Sequence, residues 1–258
     1  MKTILEILQL SAAYLEEKGI DGARRQAEEL LAHILKLKRI DLYMQFDRPV
    51  EEEDLTLLRE FIKRKGKGEP VEYITSEVEF YHTKLRLTPA VLIPRQETEI
   101  LASKIAESLP DESLVVWDVC AGSGCLGISF KNARPKWNLT LSDISKEALA
   151  VAKNNAEINR IEVSFLEGDL LAPFGGKKAD VIICNPPYIT EEEFLSLDLS
   201  VREFEPRGAL VGGPTGLEFY ERLARDLPQF LVPGGKVFLR WERVWEQKLQ
   251  PFFLRLSG

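Results

Sequence analysis

Four consecutive residues, Asn185-Pro186-Pro187-Tyr188, have the types and the spacing to hold a planar amino group. They follow an apolar segment, residues 179–184, and polar atoms at the tip of such a strand lie where open α/β sheets bind ligands. The two prolines fix φ near about −65° and donate no hydrogen bonds, which leaves the amide of Asn185 and the neighbouring carbonyls as acceptors. Acceptors that bind both hydrogens of an –NH2 group beside the flat Tyr188 ring leave its nitrogen lone pair free for attack. We name these residues the acceptor loop. They predict alkylation of an amino group, and the alternative is a Pro-Pro turn with a packed tyrosine.

A second pattern lies upstream, in the run Asp118-Val119-Cys120-Ala121-Gly122-Ser123-Gly124-Cys125, whose residues 121–125 we name the glycine loop. Its two glycines let the backbone bend tightly and approach a ligand closely, and the next helix offers free N–H groups at its start. The run lacks the third glycine of a dinucleotide fingerprint. It carries Asp118 at the end of one strand, and Asp143 closes the next strand, where a carboxylate can accept from both ribose hydroxyls. We therefore expect Asp118, the glycine loop and Asp143 to bind a nucleoside.

The predicted pocket is acidic and has no phosphate cradle. Asp169 follows the third strand and can accept from an adenine amino group, while Leu170 can pack on the ring. A nucleoside sulfonium, which is cationic at sulfur and at its amino group, suits such a pocket. The sequence therefore predicts S-adenosylmethionine as cofactor, with S-adenosylhomocysteine as product, and Asn185 at its border. Ordinary strand-end capping is the alternative for Asp143 or Asp169 taken singly.

Composition limits the classes of protein that fit this chain. Its 258 residues are 45% hydrophobic, without an apolar run as long as a membrane span or a signal peptide at the start, so we expect a cytoplasmic protein, and a monomer. The net charge of −7 disfavours stable binding to nucleic acid. Three cysteines without paired spacing are expected to be buried free thiols, and two histidines away from other ligands disfavour a zinc site.

The first seventy residues contain helical patterns only. Thr3 begins a capping-box pattern for a helix that ends at Gly19, and further helices are predicted from Asp21, around Leu42 and over Glu51–Lys65. Short amphipathic helices cannot each bury an apolar face alone, so these four should pack as a bundle.

Beyond residue 70 the periodicity changes. Alternating apolar residues between Pro70 and Pro94 predict a short β-hairpin, and from residue 97 helical and strand patterns alternate. We expect strands at Leu114–Val119, Leu139–Ser142, Val163–Leu166, Ala179–Cys184 and Lys236–Trp241, and helices at Glu97–Ser108, Leu126–Asn132, Lys146–Asn159 and Leu217–Phe230. Strands separated by helices form a mostly parallel, doubly wound sheet. The predicted fold class is therefore α/β and Rossmann-like, with a helical domain at 1–70, a β-hairpin linker at 71–94 and an α/β domain at 95–258.

On these residues the chain resembles the HemK/PrmC family of N5-glutamine methyltransferases, which modify the Gly-Gly-Gln glutamine of class-1 peptide chain release factors. The resemblance covers nearly the whole length. Besides the glycine loop and the acceptor loop, it includes Glu69–Thr75, Leu92–Glu99, Phe204–Leu210 and Gly212–Leu217. It implies a class I S-adenosylmethionine-dependent methyltransferase domain, with class-1 release factors as partners.

The acceptor loop suggests how such an enzyme would work. The Asn185 side-chain oxygen and the Pro186 carbonyl would accept the two amide hydrogens, while Pro187 and Tyr188 would sandwich the amide plane. Asn185 and Pro186 are therefore the catalytic candidates, and no general base is expected. The helical domain is expected to dock the body of the protein substrate.

Two features depart from the family pattern. Leu239-Arg240-Trp241-Glu242 stands where relatives have a Glu-Ile-Gly-like turn, and relatives continue into an antiparallel strand pair where this sequence ends at Gly258. We expect either a shortened sequence or a carboxyl-terminal helix that covers the sheet edge.

Three other functions share parts of these patterns. One is a glutamine methyltransferase of a ribosomal protein. Another is an adenine-N6 nucleic-acid methyltransferase that acts on a flipped base, which the acidic balance disfavours. The third is a binding protein that keeps the fold without activity.

Overall fold

The computed structural model describes residues 2–240. Predictions that fall on Trp241, Glu242 and the sheet edge beyond them lie outside the described residues. The described residues form two compact units, one with residues 2–76 and 198–204, the other with residues 77–197 and 205–240.

The first unit is helical. Thr3 caps the first helix, because its Oγ1 accepts from the Glu6 N–H at 3.3 Å while its own N–H donates to Glu6 Oε2 at 2.8 Å. Ile4, Leu8 and Leu15 are fully buried and pack with apolar residues of the other helices. In the described part of this unit the helices are α1 (Ile4–Glu17), α2 (Ala23–Leu35), α3 (Arg39–Met44), α4 (Glu52–Lys65), α5 (Val71–Thr75) and α10 (Leu199–Arg202). Residues 71–75 are therefore helical, although the sequence placed them at the start of the hairpin.

The hairpin belongs to the second unit and is shorter than predicted. Strands β1 (Glu77–Phe80) and β2 (Thr83–Arg86) pair antiparallel, and Phe80 pairs with Thr83, so two residues form the turn. Those residues, Tyr81 and His82, have φ of 43° and 61°, as a type I′ turn requires.

The buried side chain of Asn155 attaches the hairpin to the α/β layer. Its Oδ1 accepts from the Arg86 N–H at 2.6 Å, and its Nδ2 donates to the carbonyls of Arg86 and Ser123, both at 3.0 Å. One amide therefore joins the end of the hairpin to the glycine loop.

The second unit is the predicted Rossmann-like α/β layer. Its described strands are β3 (Val115–Val119), β4 (Asn138–Asp143), β5 (Ser164–Glu167), β6 (Ala179–Cys184) and β7 (Leu231–Leu239). All neighbours pair parallel in the order β5-β4-β3-β6-β7. Its helices are α6 (Gln96–Ser108), α7 (Cys125–Ala133), α8 (Lys146–Ile158), α9 (Glu191–Ser196) and α11 (Glu218–Asp226).

The sheet is buried on both faces. Val116 belongs to one apolar cluster and Trp117 to the other, as the alternation of side chains along a strand dictates. The Trp117 ring stacks on the Phe174 ring, with centroids 3.9 Å apart. The carboxyl ends of β3, β4, β5 and β6 meet at one edge, which brings the predicted site residues together.

The last described strand begins earlier than predicted. Strand β7 starts at Leu231 instead of Lys236, and the preceding helix ends at Asp226 instead of Phe230. The sequence Val232-Pro233-Gly234-Gly235 is typical of a turn. Within residues 2–240, however, β7 is at the edge of the sheet, and edge strands tolerate proline. The pairing with β6 is irregular between Ala179 and Val181, which accommodates these residues.

Candidate active site

A cavity of about 400 Å³ opens at the carboxyl edge of the sheet. The glycine loop, the turns after β4 and β5, and the acceptor loop all contribute to its wall. The sequence-predicted residues that line it are Ala121, Gly122, Ser123, Cys125, Asp143, Asp169, Leu170, Asn185 and Pro187. Within the described part of the chain, four predicted residues do not line the cavity, and they are Asp118, Gly124, Pro186 and Tyr188.

The two glycines of the glycine loop do different work. Gly122 has φ of 54°, and a Cβ added there would meet no atom within 4 Å, so its backbone borders open space. Gly124 has φ of 77°, and a Cβ there would lie 2.7 Å from Ile128 Cδ1. Gly122 thus leaves room for a ligand, while Gly124 permits close packing of α7 on the sheet.

Asp143 is fixed between two backbone donors. Its Oδ2 accepts from the Gly122 N–H at 2.8 Å, and its Oδ1 accepts from the Ser145 N–H at 2.9 Å. Each carboxylate oxygen keeps further lone-pair capacity for a ligand hydroxyl. Next to it, Ile144 lines the cavity and is 69% exposed, an apolar side chain suited to a flat ring.

Asp118 does not line the cavity. Its side chain is buried, and its Oδ2 accepts from the Gly127 N–H at 2.8 Å, which holds the first turn of α7. Burial raises the pKa of Asp118 to about 7. The predicted ligand contact of Asp118 is therefore replaced by a structural one, because the side chain points under the glycine loop towards α7.

Asp169 has a protein partner. Its Oδ2 lies 2.5 Å from Arg222 Nη2, and the Arg222 guanidinium lies 5.8 Å from the centre of the Phe219 ring. All three side chains line the cavity, and Leu170 beside them adopts φ of 47°. A ligand amino group would share the Asp169 carboxylate with this arginine.

The acceptor loop presents a buried acceptor without a partner. Asn185 Oδ1 is buried and accepts no hydrogen bond from the described residues, while Pro186 and Pro187 are buried. An unpaired buried oxygen costs free energy, so its retention at a cavity wall points to a donor on a ligand. The Tyr188 ring has the Arg240 guanidinium 5.4 Å from its centre, so this residue of the divergent turn covers part of the ring.

A later segment holds the acceptor loop in place. The N–H groups of Tyr188 and Ile189 both donate to the Leu210 carbonyl, at 3.2 and 2.9 Å. The Gly212 N–H donates to the Ile189 carbonyl at 2.9 Å. Ile189 and Val211 form an isolated parallel bridge. These bonds fix the backbone of the acceptor loop.

The Cys125 thiol supplies no nucleophile to this cavity. Cys120 and Cys125 are half-buried and line it, and Cys184 is buried below. Burial raises the pKa of the Cys125 thiol to about 12, so this thiol stays protonated at neutral pH. Within residues 2–240 no three His, Cys, Asp or Glu side chains are grouped to hold a metal ion, and no helix is long and apolar enough to cross a membrane.

Comparison with known proteins matches both units. Residues 6–75 match the PrmC N-terminal domain, and residues 96–200 match the methyltransferase small domain. The release factor glutamine methyltransferase of Chlamydia trachomatis is 43% identical over 89% of this chain and 79% of its own length. That of Bacillus subtilis is 39% identical over 96% of this chain and 87% of its own. The chain belongs to the release factor glutamine methyltransferase (HemK/PrmC) family.

A solved structure supports the fold. A methyltransferase from Pyrococcus furiosus, 18% identical, superposes on 67% of this chain and 77% of its own with a TM-score of 0.50. The predicted Rossmann-like fold is thereby confirmed, while the relatives and the two matched domains confirm the predicted family.

As a member of this family the protein is an S-adenosylmethionine-dependent methyltransferase, and its cavity fits that cofactor. Gly122 leaves the space that a Cβ would fill, and Asp143 offers carboxylate oxygens beside it. Ile144 and Leu170 add apolar surface for a base. These residues would hold the nucleoside, and the bound cofactor supplies an electrophilic methyl group.

Sequence reasoning missed part of the cavity wall. Ile144 directly follows the predicted Asp143. An apolar residue immediately after a strand end could have indicated that Ile144 lines the cavity. Arg222 and Phe219 both lie on α11, a helix that the sequence predicted but linked to no site. The remaining missed residues lie around 90–98 and 206–209 and near the carboxyl ends of β3, β4 and β5, and they are Ala90, Val91, Leu92, Pro94, Arg95, Thr98, Cys120, Ser145, Ala148, Gly168, Pro206, Gly208 and Ala209.

Proposed function

We propose that this protein transfers a methyl group from S-adenosylmethionine to the side-chain amide nitrogen of the Gly-Gly-Gln glutamine in class-1 peptide chain release factors. The observation that carries the proposal is the buried, unpartnered Oδ1 of Asn185 at the wall of the cofactor cavity. The relatives named release factor glutamine methyltransferase support the choice of substrate. The protein would act as a monomer in the cytoplasm, where release factors work.

An amide nitrogen is a poor nucleophile because its lone pair is delocalised into the carbonyl. The site must therefore orient the amide rather than deprotonate it. Asn185 Oδ1 accepts one amide hydrogen and the Pro186 carbonyl accepts the other, which fixes the direction of the nitrogen lone pair. Pro187 and Tyr188 would bound the amide plane.

No residue of the chain has to remove a proton before transfer. The nitrogen loses a proton to water once it is alkylated. This agrees with the protonated Cys125 thiol and with the burial of Asp118 away from the cavity.

The helical unit is proposed to dock the body of the release factor. A single glutamine loop offers little contact area, so a second contact on the same substrate would raise the effective concentration of that loop. Helix α3 carries three exposed apolar side chains, Ile40, Tyr43 and Met44, which are 65, 48 and 83% exposed. Their spacing places them on one side of the helix.

The test is methyl transfer from labelled S-adenosylmethionine to three kinds of acceptor. A class-1 release factor should become labelled, whereas an adenine-containing oligonucleotide and ribosomal proteins should not. Label in the oligonucleotide would favour the adenine-N6 function, and label in a ribosomal protein would favour the other glutamine substrate. No label in any acceptor, with cofactor bound, would favour a binding protein.

A further inference from the structure

A buried carboxylate joins two segments that both line the cofactor cavity. The Glu205 side chain is 1% exposed, its Oε2 accepts from the Ile93 N–H at 3.1 Å, and its Oε1 lies 2.5 Å from Arg95 Nη2. The first segment, residues 90–95, contributes Ala90, Val91, Leu92, Pro94 and Arg95 to the cavity wall. The second segment, residues 205–209, contributes Pro206, Gly208 and Ala209. The Glu205 carboxylate therefore provides a hydrogen-bonded connection between these two segments.

The second segment continues directly to the acceptor loop. After Glu205 the chain makes a 3-10 turn at Arg207–Ala209, in which the Leu210 N–H donates to the Arg207 carbonyl at 3.0 Å. The Leu210 carbonyl then accepts from Tyr188 and Ile189. The buried carboxylate therefore lies only five positions before the carbonyl that fixes the acceptor loop.

We propose that Glu205 is a positioning residue that aligns the cofactor wall with the acceptor loop, and that Arg95 serves it by neutralising its charge. A carboxylate with almost no exposure is costly unless a cation and hydrogen-bond donors compensate it. Both of its oxygens have a donor, one from the Ile93 backbone and one from Arg95. The inference rests on the proposed cofactor site, and only the kcat measurement below also rests on the proposed protein substrate.

Arg95 itself lines the cavity, and its side chain is 30% exposed. A direct contact between Arg95 and the cofactor is therefore the competing explanation for any effect of its removal. The two explanations give opposite results in a double variant. If Arg95 only neutralises Glu205, removing the charge of Glu205 as well should repair the loss.

The first experiment measures S-adenosylhomocysteine affinity by calorimetry for the wild type, Arg95→Ala, Glu205→Gln and the double variant. Arg95→Ala leaves a buried carboxylate unpaired and should weaken binding at least about tenfold. Glu205→Gln in that background should restore most of the affinity, because the neutral amide oxygen still accepts from the Ile93 N–H. A double variant as weak as Arg95→Ala, or weaker, would overturn the proposal in favour of direct contact.

The second experiment measures kcat for methylation of release factor at saturating cofactor. Glu205→Ala should lower kcat at least about tenfold and weaken S-adenosylhomocysteine binding as well, since one residue positions both parts. The control is Asp180→Asn, because the Asp180 carboxylate accepts from the Val115 N–H at 2.7 Å at the opposite ends of the strands. It should leave both quantities near the wild-type values.

An unchanged kcat and affinity in a folded Glu205→Ala would overturn the proposal. If Glu205→Ala does not fold, the Arg95→Ala and double variants decide. A wild type that binds no S-adenosylhomocysteine would instead contradict the proposed cofactor site.

Discussion

Gly212 lies so close to Pro187 that a Cβ atom on Gly212 would stand 2.5 Å from the Pro187 carbonyl oxygen. The same Cβ would stand 2.8 Å from the Cα of Tyr188. The backbone of the acceptor loop is therefore shaped by direct contact with a residue that lies well beyond it in the sequence. Side chains at position 212 are excluded because the atoms they would meet are backbone atoms, which cannot move aside without moving the loop.

Gly212→Ala should therefore damage transfer more than cofactor binding. The clash displaces the acceptor loop and misdirects the amide, and a misplacement of about 1 Å can cost about 10²-fold in rate. The S-adenosylhomocysteine affinity should change little, because the glycine loop and Asp143 are not touched. Steady-state kinetics and calorimetry on the same preparation measure both. A normal kcat would show that the loop tolerates the added methyl group.

Asp143→Ala should weaken cofactor binding by about 1.5–3 kcal/mol, the range for hydrogen bonds to a charged group. The loss has two sources, since ligand hydroxyls lose their acceptor and the Gly122 N–H loses the bond that holds the glycine loop. Calorimetry with S-adenosylhomocysteine measures it. Asp143→Asn keeps an oxygen for one of these donors and should show a smaller loss. Unchanged affinity in Asp143→Ala would remove this carboxylate from the cofactor site.

The buried Asp118 should make stability depend on pH. Its pKa is about 7 in the folded protein, above the unfolded value of about 3.9, so the folded state binds the proton more tightly. Stability therefore falls as pH rises from about 4 to about 7, and the loss is complete above the folded pKa. Asp118→Asn removes this titration and keeps an oxygen for the Gly127 N–H.

The difference in free energy of unfolding, variant minus wild type, should then grow between about pH 4 and pH 7. It should reach up to about 4 kcal/mol, as about three pH units at 1.36 kcal/mol each. Urea unfolding at a series of pH values measures it, and the other titrations cancel in the difference. A difference that is constant with pH would mean that Asp118 keeps an ordinary pKa in the folded state.

Sequence patterns predicted the helices and strands whose formation depends on interactions between residues close in sequence. The capping box at Thr3 is present, and strand Ala179–Cys184 lies at the predicted residues, because apolar runs and cap residues act within a few positions. The parallel sheet followed from strands that alternate with helices. Short helices such as Val71–Thr75 and Glu191–Ser196 were missed, since each has too few residues to show a helical period.

The site was predicted where it lies at strand ends and missed where it depends on distant partners. Asn185 and Asp143 follow strands, so their positions at the carboxyl edge could be inferred. Asp118 also lies near the end of a strand. The alternation of side chains along a strand does not show which residue the Asp118 side chain contacts. The contact of Glu205 with Ile93 joins positions 112 apart, and no short-range pattern encodes it.

The exposed apolar side chains of α3 provide a test of docking by the helical unit. Ile40→Asp together with Met44→Asp should raise KM for intact release factor about tenfold, because apolar anchors in an interface each contribute on the order of 1 kcal/mol or more. Methylation of a short Gly-Gly-Gln peptide should not change. Leu10→Asp is the control, since Leu10 is an exposed apolar residue of α1 and the change adds the same type of charge. Equal losses on protein and peptide would contradict docking through this face.

The buried Oδ1 of Asn185 links the cavity to the proposed methyl transfer. Asn185→Ala removes one of the two acceptors that orient the amide and should lower kcat by about 10²–10³, the typical cost of losing one preorganised hydrogen bond in an active site. The affinity for S-adenosylhomocysteine should fall far less. The matched pair of wild type and Asn185→Ala therefore separates methyl transfer from cofactor binding.

The most direct measurement locates the methyl group. Release factor is incubated with S-adenosylmethionine and with either the wild type or Asn185→Ala. The release factor is then digested, and tandem mass spectrometry assigns the modified atom. The account predicts one methyl group on the side-chain nitrogen of the Gly-Gly-Gln glutamine with the wild type, and little or none with Asn185→Ala at equal enzyme concentration. A methyl group on another residue, or equal methylation by both enzymes, would contradict it.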